Sequence, residues 1–365
     1  MATKPSTELA SATTPTALDP ARLDEAAQQA ARELIAEGES RNTRVSYDAG
    51  LRYWHRWYAL RFGHALNLPV APATVVHFVL DHALRRNEDD ALVHELPPEV
   101  DAALVQSGAK AAKGPLSMAT IVHRVSVMSK LHEISRLPNP CKDPGVREVL
   151  AKARRAHAKR GELSRGKDAL TREPMEAILA TCNESVIGKR DRALLLFAFS
   201  SGGRRRSEVV AATMETVRAN LDGTYTFELR HSKTNQAGNR GTDDFKPVSG
   251  RAAQALAAWL EVAKITEGPI FRHVRRGGAV AGPLTARAVR SIVIKRCALA
   301  GLPKRFSAHS LRSGFITEAG RQNIPTADVM ALSGHRDPAT VARYQRAGAL
   351  HTHMAATLLD TQSEQ

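Results

Sequence analysis

Apolar residues recur mostly at helical spacing along this chain. Tyr47, Leu51, Trp54 and Tyr58 fall at i, i+4, i+7 and i+11, which predicts one apolar stripe on a helix over Arg41–Phe62. Further helices are expected from near Pro72, from near Pro97, and from Ser117. Ser117 is a good N-cap, and its helix would turn Ile121, Val125, Met128 and Leu131 inward. Between them Gln106 to Pro115 (QSGAKAAKGP) reads as a flexible basic connection. Several helices with short loops and no internal repeat predict a small bundle over residues 21–158.

From Arg154 to Lys167 the sequence RRAHAKRGELSRGK is basic, glycine-punctuated and without apolar periodicity. That is the pattern of an interdomain linker, placed at residues 159–168. A second domain, residues 169–365, opens with Thr171 as a plausible N-cap. Its helical pattern runs through Arg190 to Ser200, with Leu194, Leu195, Phe197 and Ala198 inside. A strand pattern at Tyr225–Leu229 follows the turn-forming pair Asp222-Gly223. A loop with Gly238 and Gly241 returns to a second strand at Phe245–Val248, and helices follow. The fold class is mostly α, α+β: an N-terminal helical bundle plus a C-terminal helical domain with a small antiparallel sheet.

Composition adds a partner and removes several classes. No apolar run approaches the roughly 18 residues of a membrane span. Residues 1–20, rich in Ser, Thr, Ala and Pro, lack an apolar signal core and read as a disordered tail. Glu8, Asp19 and the lack of arginine there argue against a transit peptide. A formal charge of +15 and a pI near 10.1 fit a polyanionic partner. Cys141, Cys182 and Cys297 are scattered, which fits a reducing cytoplasm and gives neither a zinc site nor a disulfide framework.

Four short segments carry candidate chemistry, and each has an ordinary reading alone. Gly202-Gly203-Arg204-Arg205-Arg206-Ser207-Glu208 is either a charged helix cap or a phosphate clamp. Lys233, in Leu229-Arg230-His231-Ser232-Lys233-Thr234, sits where a strand enters a loop. His309 and Arg312 are three apart and share a helix face. In Leu332 to Tyr344 a histidine, His335, follows Gly334, and Tyr344 comes nine residues later.

In this order the four segments resemble the tyrosine recombinase (phage integrase) family, whose active site is Arg, Lys, His-x-x-Arg, His and Tyr. The resemblance covers residues 169 to the end. It extends more weakly to the N-terminal half, which is similar to the helical core-binding domain of Cre-type and Xer-type members. It implies Arg205 as the first catalytic arginine, two places before Ser207, with Arg204 as the rival. It further implies Lys233 as the hairpin lysine, His309 and Arg312 as the central pair, His335 as the second histidine and Tyr344 as the nucleophile. Glu208 would orient the first arginine or its neighbours. Arg204 and Arg206 are expected against DNA, as is the arginine face Arg41, Arg44, Arg52 and Arg56 of the first helix. One departure is that many members place a histidine directly after the central arginine, whereas Ser313 and Gly314 follow it here.

The implied reaction is site-specific cutting and rejoining of duplex DNA through a 3′-phosphotyrosine. Two arginines would do the work of metal ions, and no ATP would be needed because the phosphotyrosine keeps the bond energy. No metal or nucleotide cofactor is expected, despite the tempting pair His351 and His353. An apolar terminal stripe, Leu350, Met354, Leu358 and Leu359, would dock into a neighbouring protomer of a homotetramer on two duplexes. The rival readings are a type IB topoisomerase, which shares the chemistry, and a non-catalytic DNA-binding regulator that has lost it.

Overall fold

A computed structural model of the chain describes residues 29–30, 33–34, 37–38, 41–162, 167–230 and 244–348. The expected tail at 1–20, Lys233, Gly238, Gly241 and the stripe from Leu350 to Leu359 lie outside them, as do His351 and His353. The chain divides into two compact units, residues 1–164 and 165–365.

The first unit is a helical bundle with helices α1 (Arg41–Phe62), α2 (Pro72–His82), α3 (Pro98–Gln106), α4 (Met118–Ile134) and α5 (Pro144–Lys159). A two-stranded ribbon, β1 (Arg85–Arg86) with β2 (Leu92–Val93), is an addition that the hydrophobic pattern does not predict. Ser117 caps α4 by accepting from the Thr120 amide at 3.3 Å. Ile121, Val125 and Met128 are buried as the pattern requires, and Leu131 is half-buried.

The buried face of α1 is rotated from the expected stripe. Gly50, Tyr53, Trp54 and Trp57 are buried, while Tyr47, Leu51 and Tyr58 are only half-buried. The physical reason is that Tyr53 and Trp57 find partners for their polar atoms inside: the Tyr53 hydroxyl meets His82 Nε2 at 2.6 Å, and Trp57 Nε1 donates to Asp81 at 2.8 Å. Trp54 stacks on Phe78, with ring centroids 4.0 Å apart.

Two further expectations are corrected here. The segment Gln106–Pro115 is pinned rather than loose, because the buried Lys110 ammonium pairs with Asp101 at 2.5 Å. The Gly114 amide donates to the same carboxylate at 2.6 Å. The supposed linker is helical as far as Lys159. Asp143 caps α5 and Pro144 starts it, and Val146, Val149, Leu150 and Ala153 pack inward.

The second unit begins with α6 (Arg172–Ala180), α7 (Val186–Ser200) and the short α8 (Arg206–Val210). Thr171 precedes α6 but makes no cap bond, donating to Glu173 instead. Leu194, Leu195, Phe197 and Ala198 of α7 are fully buried. The sheet has three antiparallel strands in order β3 (Val217–Ala219), β4 (Tyr225–Glu228) and β5 (Phe245–Val248). Strand β3 is one more than the two predicted. α9 (Gly250–Ala263), the ribbon β6 (Arg272–Val274) with β7 (Val280–Pro283), and α10 (Ala286–Leu299) complete this core. Three last helices, α11 (His309–Arg321), α12 (Thr326–Ser333) and α13 (Pro338–Gly348), enclose a smaller cluster of Ile316, Ala319, Val329 and Val341.

Candidate active site

The site is organised by a pair of glycines at the end of α7. Gly202 and Gly203 both have positive φ, +102° and +69°, where residues with a Cβ are strained. Space reinforces the requirement. A Cβ on Gly203 would lie 2.7 Å from the Arg312 Cα, and one on Gly202 would lie 2.3 Å from the Leu332 carbonyl oxygen. The glycines therefore let the arginine loop sit directly on α11 and on the end of α12.

Beyond the glycines, Glu208 ties Arg205 down twice. One carboxylate oxygen accepts the Arg205 backbone N–H at 3.0 Å and the other accepts its guanidinium at 2.6 Å. Burial would raise the Glu208 carboxyl, but Arg204 and Arg205 outweigh it and hold it below the usual carboxylate range. Arg205 keeps its side chain 25% exposed, enough to reach a ligand.

Arg312 is buried on α11. Its guanidinium donates to the Gly203 carbonyl at 3.0 Å and to His335 Nδ1 at 3.1 Å. Burial, then repulsion from Arg205 and Arg204, brings its pKa down to about 9. It stays charged at neutral pH. His309 stands exposed on the first turn of the same helix. Desolvation, then Arg312 and Arg205, lowers its pKa.

His335 is delivered by Gly334, whose φ of +69° ends α12 and turns the chain. Its Nδ1 receives Arg312 and also lies 2.7 Å from the Ser333 hydroxyl. A guanidinium only donates, so Nδ1 is the acceptor and the neutral ring carries its hydrogen on Nε2. Nε2 takes no partner among the described residues. Desolvation, then Arg312, Arg205, Arg204 and His309, pushes the pKa down to about 4, so the ring is neutral at pH 7.

Tyr344 sits on α13, which Asp337 caps through the Ala339 and Thr340 amides. α13 packs closely on α11 because Gly348 and Gly320 carry no side chain. A Cβ on either would fall 2.1 Å or 2.4 Å from the other helix's carbonyl oxygens. Tyr344 is half-buried against the cluster beneath α11, and its hydroxyl makes no hydrogen bond among the described residues.

Arg205, Glu208, His309, Arg312 and His335 thus form one electrostatically coupled group. Arg44, Arg52, Arg56 and Arg206 are exposed, and no acid among the described residues pairs with them. The side chain of Arg41 lies outside what the structure describes. The expectation for Arg204 is corrected: the residue is 1% exposed and lies beneath the loop, so it faces neither solvent nor a ligand in place of Arg205.

Ser333 joins the site without having been predicted. Its signal is its place two residues before His335, within reach of the near ring nitrogen. The departure after the central arginine also has a local explanation. Ser313 is buried with its hydroxyl on the backbone of α11, and a Cβ at Gly314 would strike the Leu170 carbonyl oxygen at 2.0 Å. Among the described residues no cluster of His, Cys, Asp or Glu is placed to hold a metal ion, and no helix is long and apolar enough to cross a membrane.

The chain is similar to known proteins over most of its length. The phage integrase family model matches residues 168–351. An integrase/recombinase xerD homolog of Selenomonas ruminantium is 29% identical over 87% of this chain and 85% of its own length. Tyrosine recombinase XerC of Pelotomaculum thermopropionicum is 28% identical over 45% of this chain and 51% of its own length. Among solved structures, the Tn1549 transposon integrase bound to transposon right end DNA superposes with a TM-score of 0.55 at 14% identity, over 90% of this chain and 97% of that one. A lambda integrase dimer bound to a core site gives 0.52 at 14% identity, over 87% and 93%.

Proposed function

The chain belongs to the phage integrase family, whose members are site-specific DNA recombinases, and from that premise we propose that it cuts and rejoins duplex DNA through a covalent bond to Tyr344. One observation carries the reading. Among the described residues, Arg204 and Arg205 both pair with one buried carboxylate, Glu208, and a third guanidinium, Arg312, stands next to them beside a neutral histidine with one N–H left over. Such an excess of fixed positive charge, with donors unspent, is matched by an anion.

Each residue then has a role. The Tyr344 oxygen attacks a backbone phosphorus and the bond to the 5′ oxygen breaks, leaving a 3′-phosphotyrosine and a free 5′-hydroxyl. Arg205 and Arg312 hold the non-bridging oxygens as charge builds on them. His335 adds its Nε2–H to the same oxygens. His309, at the mouth of the site, positions the phosphate and takes part in proton transfer from Tyr344. Lys233 protonates the departing 5′ oxygen. Religation reverses these steps without a metal ion or ATP. Arg41, Arg44, Arg52, Arg56 and Arg206 contact DNA phosphates, the last beside the cleaved one.

The partner is a duplex carrying a specific recombination site, and the cytoplasm is the place of action. The working assembly is a homotetramer on two duplexes. An apolar groove of about 310 Å³, lined by Phe199, Phe315, Ile324, Val329 and Leu332, offers a seat for a neighbour's terminal stripe.

The test works without a known target sequence. Wild-type protein and Tyr344→Phe are incubated with fragmented DNA of the source organism, quenched in detergent, and the protein-linked DNA is captured and sequenced. Adducts at a few shared sequences, absent from the variant, are expected. Adducts spread without sequence preference would contradict site specificity, and adducts formed by Tyr344→Phe would overturn the assigned nucleophile.

A further inference from the structure

Arg204 is the unexplained residue of this site. Its side chain is fully buried, and two of its nitrogens, Nε and Nη1, have no hydrogen-bond partner among the described residues. A buried guanidinium with unmet donors is costly, so the contacts it does make call for an account. Nη2 donates to the Gly202 carbonyl at 3.1 Å and to the Leu332 carbonyl at 2.6 Å, and Nη1 stands 3.6 Å from Glu208.

These three contacts span the site. Glu208 is the carboxylate that orients Arg205, and Leu332 lies three residues before His335. Arg312 makes a parallel bridge from the other side, from the Gly203 carbonyl to His335 Nδ1. Two guanidiniums therefore staple the Gly202-Gly203 loop to the 332–335 turn, one at each glycine carbonyl. Gly202 is part of the device, because a Cβ there would meet both the Leu332 oxygen and the Arg204 guanidinium, at 2.3 Å and 2.7 Å.

We infer that Arg204 is a positioning residue that locks the spacing between the Arg205 clamp and His335, acting through Glu208 and the Leu332 carbonyl without touching DNA. The inference rests on the recombinase reading and adds to it a residue with no role in phosphate contact. Charge gives the staple a second effect. Among the described residues, the groups facing His335 are Arg312, Arg205, Arg204, His309 and the Ser333 hydroxyl. Every charged one of them is cationic, so losing one cation eases protonation of His335. A protonated Nδ1 would point a hydrogen at Arg312 and break the bridge.

The experiment compares wild type, Arg204→Leu and Arg204→Lys on a target duplex recovered from the adduct sequencing. Duplex affinity, the single-turnover rate of covalent adduct formation from pH 5 to 9, and thermal stability are measured for each. For Arg204→Leu we expect affinity within about twofold of wild type and adduct formation slowed at least tenfold. The acid limb of its pH profile should move to higher pH, because His335 then protonates earlier as pH falls. Arg204→Lys, which keeps the charge and can still reach a carbonyl, should recover part of the rate and most of the pH profile. A wild-type rate and an unshifted limb in Arg204→Leu would overturn the inference. So would a loss of affinity with an unchanged rate per bound complex, which marks a DNA contact. If Arg204→Leu does not fold, Arg204→Lys decides: a rate down at least threefold at unchanged affinity supports the staple, and a wild-type rate removes it. Failure of the recombinase reading looks different, since wild type itself would then form no Tyr344-dependent adduct.

Discussion

His82 and His132 in the N-terminal unit and His335 in the C-terminal unit spend the hydrogen-bonding capacity of the same side chain in opposite ways. His82 has Nε2 on the Tyr53 hydroxyl and Nδ1 on the Phe78 carbonyl, both at 2.6 Å. In His132, Nε2 accepts the Val70 amide and Nδ1 donates to the Met128 carbonyl, both at 2.9 Å. Their hydrogen-bonding capacity is consumed by the fold, so they are part of the architecture. Among the described residues, His335 has both of its contacts on one nitrogen and leaves the other N–H open beside two arginines. Hydrogen-bond capacity left over next to unbalanced charge distinguishes a site from a core.

The sharpest way to break this contrast is to remove what aims His335. Arg312→Ala would take away the proposed phosphate ligand and the donor on Nδ1 together. We expect cleavage to fall by about 10²–10³-fold, the usual scale for losing one such donor, with duplex affinity reduced much less. Single-turnover adduct assays beside gel-shift titrations check this.

A crossed pair of substitutions sharpens it. His82→Leu should destabilise the protein by about 1–3 kcal/mol, because the Tyr53 hydroxyl and Phe78 carbonyl lose a buried partner. Cleavage per folded molecule should be unchanged. His335→Leu should do the reverse, slowing cleavage and leaving denaturant midpoints nearly where they were. Equal effects of both on stability and on rate would erase the distinction.

A smaller shared effect concerns acid. Burial lowers the pKa of His82 to about 3, and desolvation with nearby cations lowers that of His335 to about 4. Unfolded histidine titrates near 6.5. Between these values the unfolded chain binds more protons than the folded one, so stability declines as pH falls from about 6.5 towards 4. Thermal melts at half-unit steps should trace that fall, and a flat profile across the window would contradict both assignments.

Much of this was legible in the sequence because local signals and tertiary demands agree there. Ser117 and Pro72 start helices where they are expected to, and Leu194, Leu195, Phe197 and Ala198 are buried together. The rotation of α1 was not legible, since burial of Tyr53 and Trp57 depends on His82 and Asp81 in another helix. α5 hides behind its own arginines and lysines, which crowd the outer face and dilute an otherwise clear inward row. In the site, residue types and order identify Arg205, Glu208, His309, Arg312 and His335 as candidates. Nothing in a run of three arginines says which one is buried. That separation comes from two glycines with positive φ, which turn Arg204 under the loop and leave Arg205 beside Glu208 at its surface.

Of the five tyrosines, we propose that Tyr344 is the one that bonds to DNA beside this cluster. Tryptic peptide mapping of the nuclease-trimmed covalent complex tests it most directly, because Arg343 and Arg346 release Tyr344 in a three-residue peptide. We predict a nucleotide attached through its 3′ phosphate to that peptide. The same mass increment on a peptide carrying Tyr47, Tyr53, Tyr58 or Tyr225 would contradict the account, as would a covalent complex with the Tyr344 peptide unmodified.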